Sequence, residues 1–434
     1  MPVCIFKIAS LAHLRDLLLA LTLLTLAVST AAQPAAEHPL QVLHWWTSAS
    51  ERKAASILAA KIQEEGLLWR DAGIPGGAGI GASKVLKSRV LAGNAPDVTQ
   101  IIGVSIREWA DLGFLLELDK IAQTQRWQQI LFPSIYQLIQ HRQHIVAAPL
   151  GLHRINTLFY NRRLFQQHHL NLPVTWQQFQ QTAHTFRQTG ITPLALSSEP
   201  WQVATLFENL VLLSSNAEFH RQLFSQLLPQ AAFDPRFALA LQRLRQIKGW
   251  SNVAPEERSW PEVTRQFQKQ EAAMLVMGDW AKAELKETGW VLDEDFACVA
   301  MPGTASYHLY SVDTLVMFTN DYARSPAQEK FAKAMLQSGL QSDYNQAKGS
   351  IPVRKDADLS KLDSCAQNSW QTFAKGQLYQ APSLVHRMAT EESSRDAIIA
   401  VIHRYFIDDR ISIQETQKKI AAIFRNFSTP ARSG

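Results

Sequence analysis

The stretch QVLHWWTSASERKAASILAAKIQEEG, residues 41–66, passes from an apolar run ending in two tryptophans to a segment with Ala, Ile and Leu at helical spacing. It reads as a strand, a turn and a helix whose charged residues lie on the opposite face. LLWRDAGI (67–74) then reads as a second strand, PGGAGIGASKVLKSRVLAG (75–93) as a glycine loop running into a helix, and PDVTQII (96–102) as a third strand. This alternation predicts an open α/β lobe with parallel strands, in which ligands bind beyond the carboxyl ends of the strands. Trp45 and Trp46 end the first strand and so stand where such a lobe keeps its site.

A chain of 434 residues exceeds what one core usually organises, so two lobes are expected. Lys7 and Arg15, the apolar run LLLALTLLTLAV (17–28) and the small residues after it predict a signal peptide over 1–32. That apolar run is short for a membrane span, and no lipid-bearing cysteine follows it. A periplasmic protein is the expectation. The charged content is 19 % and the net charge +5, with no run of Lys or Arg to mark a nucleic-acid surface. Of the three cysteines, Cys298 and Cys365 remain after the leader. They suit either a disulfide or two buried thiols.

Aromatic rings at strand ends suit a sugar, whose C–H face stacks on an indole while polar side chains take the hydroxyls at its rim. Trp45 and Trp46 fit this role, although either also fits a core. Gly77, Gly79 and Ala82 follow the GxGxxA order, but after the second strand, so they read as a turn for close packing rather than a dinucleotide loop. No GxSxG, HExxH or CxxC is present, and neither His141/His144 nor His168/His169 has a supporting ligand set. No metal and no cofactor are expected. Further on, AAPLGLHRINTLFYNRRLF (147–165) reads as a crossover between lobes, with His153 at the junction. WPEVTRQFQKQEAAMLVMGDWAKAEL (260–285) runs from a helix beginning near Trp260 through a buried strand to Trp280 at another strand end.

The motifs HWWTS, LKSRVLAGN, PLGLHRIN, EAAMLVMGDWA, AKGSIPVR and SLVH, taken in this order, resemble bacterial extracellular solute-binding proteins of sugar ABC transporters. The resemblance covers nearly the whole mature chain and is strongest to the glucose/mannose-binding branch. It implies an α/β, two-lobed periplasmic binding protein fold of type II, maltose-binding-protein-like, with the ligand in the interlobe cleft. Three hinge crossings are implied, near Pro149–His153, Pro302–Tyr307 and Lys348–Pro352. The expected lobes are 38–150 with 306–347, and 151–305 with 348–430.

By the same resemblance, Trp45, Trp46, Glu51, Gln100, His153, Trp260, Trp280, Asp313, Lys348 and His386 match substrate-binding positions. The chain departs from the branch at Ile102, at Gly151-Leu152 and at Thr314-Leu315, so glucose as the ligand does not follow. The implied partners are a small-molecule sugar and the permease subunits of an ABC importer in the inner membrane. A membrane sensor kinase is the alternative partner. A monomer is expected, with no nucleic-acid partner. Glu51 and Asp313 also suit the paired carboxylates of a glycosidase. The resemblance instead explains them as hydroxyl acceptors, and no enzymatic activity is expected.

Overall fold

β1 (Leu40–His44) is buried at four of its five residues and lies between β2 (Trp69–Gly73) and β3 (Val98–Gln100), parallel to both. The computed structural model describes residues 39–251, 257–319 and 321–428, so the signal-peptide reading falls outside the described residues. Beyond β3 come a small hairpin of β4 (Gln140–His141) and β5 (His144–Ile145), then β6 (Ala148–Arg154). β7 (Thr157–Asn161), β8 (Thr192–Ala195), β9 (Ala272–Met277) and β10 (Phe296–Ala300) follow, and β11 (His308–Met317) and β12 (Gln380–Pro382) complete the strands. Two larger sheets result. The first runs β12-β11-β3-β1-β2, with β6 also paired to β11, and the second runs β10-β7-β9-β8. No helix among the described residues is long and apolar enough to cross a membrane.

The helices that build the cleft start near strand ends. They are α1 (Ala49–Glu64), α2 (Pro200–Ser214), α3 (Trp260–Gln268) and α4 (Trp280–Glu287), joined by α5 (Ser338–Lys348), which packs on α1, and α6 (Ser364–Ala374). Ser48 caps α1 and Glu51 closes a capping box with it, which fixes the turn between Trp46 and the helix. α3 opens in the same way on Ser259 and Glu262.

The chain makes its first and third passages between the sheets at places different from those expected, whereas the second lies between β10 and β11, over the expected Pro302–Tyr307. β6 stays in the first sheet through Arg154, paired with β11 from Ala148↔Leu315 to Arg154↔Tyr310, so the first passage lies at Ile155–Asn156. After α5, Ile351 bridges Leu152, Val353 and Phe373 pack in the first core, and β12 pairs with β11. The segment 351–382 therefore stays with the first sheet, and the third passage comes where Leu384 enters the second core. The sequence pattern missed both because a strand that pairs with β11, antiparallel as β6 is or parallel as β12 is, has no local signature distinct from a crossover. At Gly151 the departure from the family pattern has a packing cause: Asn345 Oδ1 would lie 2.8 Å from a Cβ there.

Cys298 of β10 and Cys365 of α6 form a disulfide, with 5.9 Å between their Cα atoms. It joins a strand of the second sheet to a helix whose Ala366 and Phe373 belong to the first core.

Trp46 is 1 % exposed, stacked on His44 at 4.9 Å and tilted against Tyr344 at 5.8 Å. It fills the first core and does not reach the cleft, contrary to the expectation for it. Trp46→Ala is therefore expected to destabilise the fold by about 3–5 kcal/mol, read as a fall in the urea midpoint at unchanged slope.

Candidate functional site

A cavity of about 330 Å³ lies between the two sheets. Trp45 follows directly on β1, and the α1 cap supplies Thr47, Ser48 and Glu51. β6 supplies His153, β11 supplies Ser311 and Asp313, and the last residue of α5 is Lys348. From the second sheet's side come Trp260 and Trp280, each the first residue of its helix, together with His386. Trp45, Glu51, His153, Trp260, Trp280, Asp313, Lys348 and His386 are thus brought together from positions up to 341 residues apart in sequence. Ile102 also lines the cavity, adding an aliphatic side chain to its wall.

Gln100, expected to line the site, lies 2 % exposed in the wall behind it. β3 sits between β1 and β11, so its last side chain is spent on its neighbours. Gln100 Nε2 donates to Asp313 Oδ1 at 2.9 Å, and its Oε1 accepts from the Trp45 backbone N–H at 3.3 Å. Gln100 thereby positions two lining residues.

The floor is a buried charge network. His153 contacts Asp279 Oδ1 through Nδ1 at 2.6 Å and Asp313 Oδ2 through Nε2 at 3.2 Å. Burial opposes its charge, yet the two carboxylates outweigh burial and lift its pKa to about 9. For Asp313, burial is likewise overcome, by His153, Lys348 and the Gln100 hydrogen bond, and its pKa falls to about 2. Lys348 Nζ donates to Glu51 Oε1 at 3.0 Å, and Glu51 Oε2 accepts from the backbone N–H groups of Thr47 and Ser48. Against burial, Glu51 and Asp313 hold the Lys348 pKa above its ordinary value. His386 stays neutral, its pKa pushed down to about 3 by burial and by the positive charges of His153, Arg387 and Arg395. Its Nδ1 is 3.0 Å from Ser383 Oγ. The floor thus sets two cations, His153 and Lys348, against three carboxylates, Glu51, Asp279 and Asp313, and each of these ions has a partner of opposite sign.

Both rims are closed by polar contacts between elements of the two sheets. Ser50 donates to Glu284 Oε2 of α4 from its backbone N–H at 3.2 Å and from Oγ at 2.8 Å. Lys53 pairs with Glu287 at 2.6 Å. On the other rim, Ser83 and Lys87 contact Glu392, and Arg387 donates to the carbonyl of Ala78.

Glu199 and Trp201 also line the cavity and were missed in the sequence. A signal was available: Trp201 begins a helix a few residues after β8, as Trp280 does after β9. The glycine loop is explained by two tryptophans. A Cβ at Gly77 would lie 2.3 Å from the Trp201 indole nitrogen, and one at Gly79 would lie 2.8 Å from the Trp45 ring. The loop is therefore a close-packing turn beside the cleft.

Residues 69–341 match the family model of bacterial extracellular solute-binding proteins. A probable sugar-binding periplasmic protein of Rhizobium meliloti (strain 1021) is 31 % identical over 402 residues, covering 92 % of this chain and 96 % of the relative. Among solved structures, a chitin oligosaccharide binding protein superposes with a TM-score of 0.75 at 18 % identity, covering 90 % of this chain and 99 % of its own. Maltose-bound MalE3 of T. maritima gives 0.72 at 16 % identity, covering 89 % and 99 %. The two sheets with their covering helices are thus the lobes of a type II binding-protein fold, and the chain belongs to the bacterial extracellular solute-binding proteins.

Proposed function

We propose that this chain is the periplasmic receptor of an ABC sugar importer, and that it encloses a mono- or short oligosaccharide between its lobes. The observation that carries this is the cavity wall, with Trp45 on one lobe facing a space shared with Trp260 and Trp280 on the other, above the Glu51, His153, Asp313, Lys348 and His386 network. Indoles offer stacking surface to a sugar's C–H face, and ionised groups make strong hydrogen bonds to hydroxyls. Because each ion of the floor already has a partner of opposite sign, the site favours an uncharged polyol over an ionic solute. The relatives with sugar-binding names support the same reading. With sheet and core membership in support, we propose that residues 40–154 and 308–382 form most of one lobe and 157–300 and 384–428 most of the other.

Closure stores the recognition energy. A ligand shifts an open–closed equilibrium only by its greater affinity for the closed form, so it must touch both lobes. The cavity meets this condition, and the closed form then presents both lobes to the permease subunits. As a monomer acting alone, the receptor makes and breaks no covalent bond.

Titration calorimetry of the exported protein, stripped of ligand by unfolding and refolding, tests this against aldoses and disaccharides. Binding at micromolar Kd or tighter to at least one sugar, with a change in tryptophan fluorescence, is expected. Silence across the panel from a cooperatively folded sample would overturn the reading. Trp45→Ala and Trp280→Ala should each weaken that binding at least about tenfold, equivalent to about 1.4 kcal/mol; undiminished affinity in both would remove the site assignment.

The floor network gives a test in pH. The folded pKa of His153, about 9, lies above the ~6.5 of an unfolded chain, so its stabilisation is complete below ~6.5 and lost as pH rises to about 9. The folded pKa of Asp313, about 2, lies below the ~3.9 of an unfolded chain, so its contribution is lost only as pH falls from ~3.9 to about 2. Urea unfolding at pH 6, 7.5 and 9 should show stability falling across this range, with a shallower fall in His153→Gln. Equal slopes in the two proteins would show that His153 does not hold its proton in this way.

A further inference from the structure

Glu208 sits in the middle of α2 and is 0 % exposed, yet it does not line the cavity. A carboxyl buried so completely is rare unless it is paired. Its partners lie on the segment that carries His386. Ser383 Oγ donates to Glu208 Oε1 at 2.7 Å, and the Leu384 backbone N–H donates to Oε2 at 2.8 Å. His220 of the helix Ala217–Phe224, itself buried, stands beside the carboxyl with Nε2 3.7 Å from Oε2. α2 meets His386 at a second point, where Trp201 of its first turn packs edge-on to the imidazole at 6.2 Å.

The hydrogen bonds of Ser383 decide where His386 keeps its proton. A serine hydroxyl has one proton and two lone pairs. The proton of Ser383 goes to Glu208, and one lone pair accepts from the His386 backbone N–H at 3.2 Å. A lone pair is what remains for His386 Nδ1, 3.0 Å away, so Nδ1 must bring the proton. Burial and the positive charges nearby push the His386 pKa down to about 3, so the ring carries a single proton at neutral pH. With that proton on Nδ1, Nε2 keeps its lone pair. No protein group among the described residues hydrogen-bonds Nε2, and the ring lines the cavity. Glu51 and Asp313, the other acceptors of the site, are each tied to a cation, whereas Nε2 offers an uncommitted lone pair. A free histidine has the opposite preference, its neutral ring favouring the proton on Nε2.

We propose that Glu208 is a positioning residue: through Ser383 it holds His386 as the Nδ1–H tautomer, so that Nε2 accepts a hydroxyl of the ligand. The nature of that ligand rests on the sugar-receptor reading above, while the tautomer belongs to the protein alone. In Glu208→Gln the order reverses. The Leu384 N–H still needs an acceptor, so the side-chain amide turns its oxygen there and its NH₂ to Ser383 Oγ. The Ser383 proton then points to Nδ1, and His386 moves its own proton to Nε2. An acceptor facing the ligand becomes a donor with no change of shape.

The test is nitrogen NMR of the exported protein labelled in its histidine rings, in which protonated and unprotonated ring nitrogens are well separated. The resonances lost in His386→Ala identify the ring. The wild-type protein should carry the proton on Nδ1 and Glu208→Gln on Nε2. A proton on Nε2 in the wild type, or one that stays on Nδ1 in a folded Glu208→Gln, would overturn the proposal whatever the ligand is. If Glu208→Gln does not fold, Ser383→Ala asks the same question by removing the lone pair that Nδ1–H needs, and a proton kept on Nδ1 there would overturn it equally. Calorimetry reads the consequence for binding. Glu208→Gln should weaken the sugar that binds best at least about fivefold, but less than about twofold when made in His386→Ala. Equal losses in both backgrounds would show that Glu208 only supports the fold. Silence with every sugar, beside a proton on Nδ1, would overturn the sugar reading and not the tautomer.

Discussion

The contact on which the molecule turns is His153 held between Asp279 and Asp313. His153 and Asp313 belong to the first sheet and Asp279 to the turn after the second sheet's β9, so one buried imidazole spans the meeting point of both lobes. Burying charge is costly, and a buried pair contributes less to stability than its Coulomb attraction suggests. What it does supply is definition: removing His153 leaves Asp279 and Asp313 in a low-dielectric floor without the cation they share. The neighbouring Arg154 extends the constraint. Its guanidinium reaches Asn156, Asn368 and the Tyr307 carbonyl, tying the first passage between sheets to the second and to α6.

Around that floor, structural and recognition roles are carried by the same atoms. Glu51 completes the capping box of α1 with one carboxylate oxygen and receives Lys348 with the other, while still lining the cavity. Ser50, next to it, receives Glu284 from the opposite lobe at the helix's first turn, where exposed N–H groups favour a carboxylate. The start of one helix therefore serves the site, the rim and the fold together. The disulfide between Cys298 and Cys365 adds a covalent tie between the lobes, close to the passages of the chain.

Most of the architecture was legible because it rests on local patterning. The alternation from β1 to β3 follows from apolar runs separated by helical spacing and turn residues, and the tryptophans at strand ends fall where an open α/β sheet leaves its ligand space. The same rule, applied after β8, points to Trp201. The lobe limits were less legible. β6 and the segment 351–382 look like crossovers in sequence, yet they are held in the first sheet by pairing with β11, a partner more than 150 residues away from β6 in sequence.

The sequence by itself pointed to an α/β solute-binding protein, and eight of the ten positions it offered for the site line the cleft. It could not rank Trp45 against Trp46. Both follow directly on β1, and only packing against His44 and Tyr344 decided that Trp46 fills the core while Trp45 lines the cavity. Tertiary structure also drew Gln100 into the wall, paired the two cysteines and brought Glu199 to the cavity. Each of these depends on a partner distant in sequence that only the folded chain brings within reach: β11 beside Gln100 in one sheet, α6 beside Cys298 of β10, and the Arg258 segment beside Glu199.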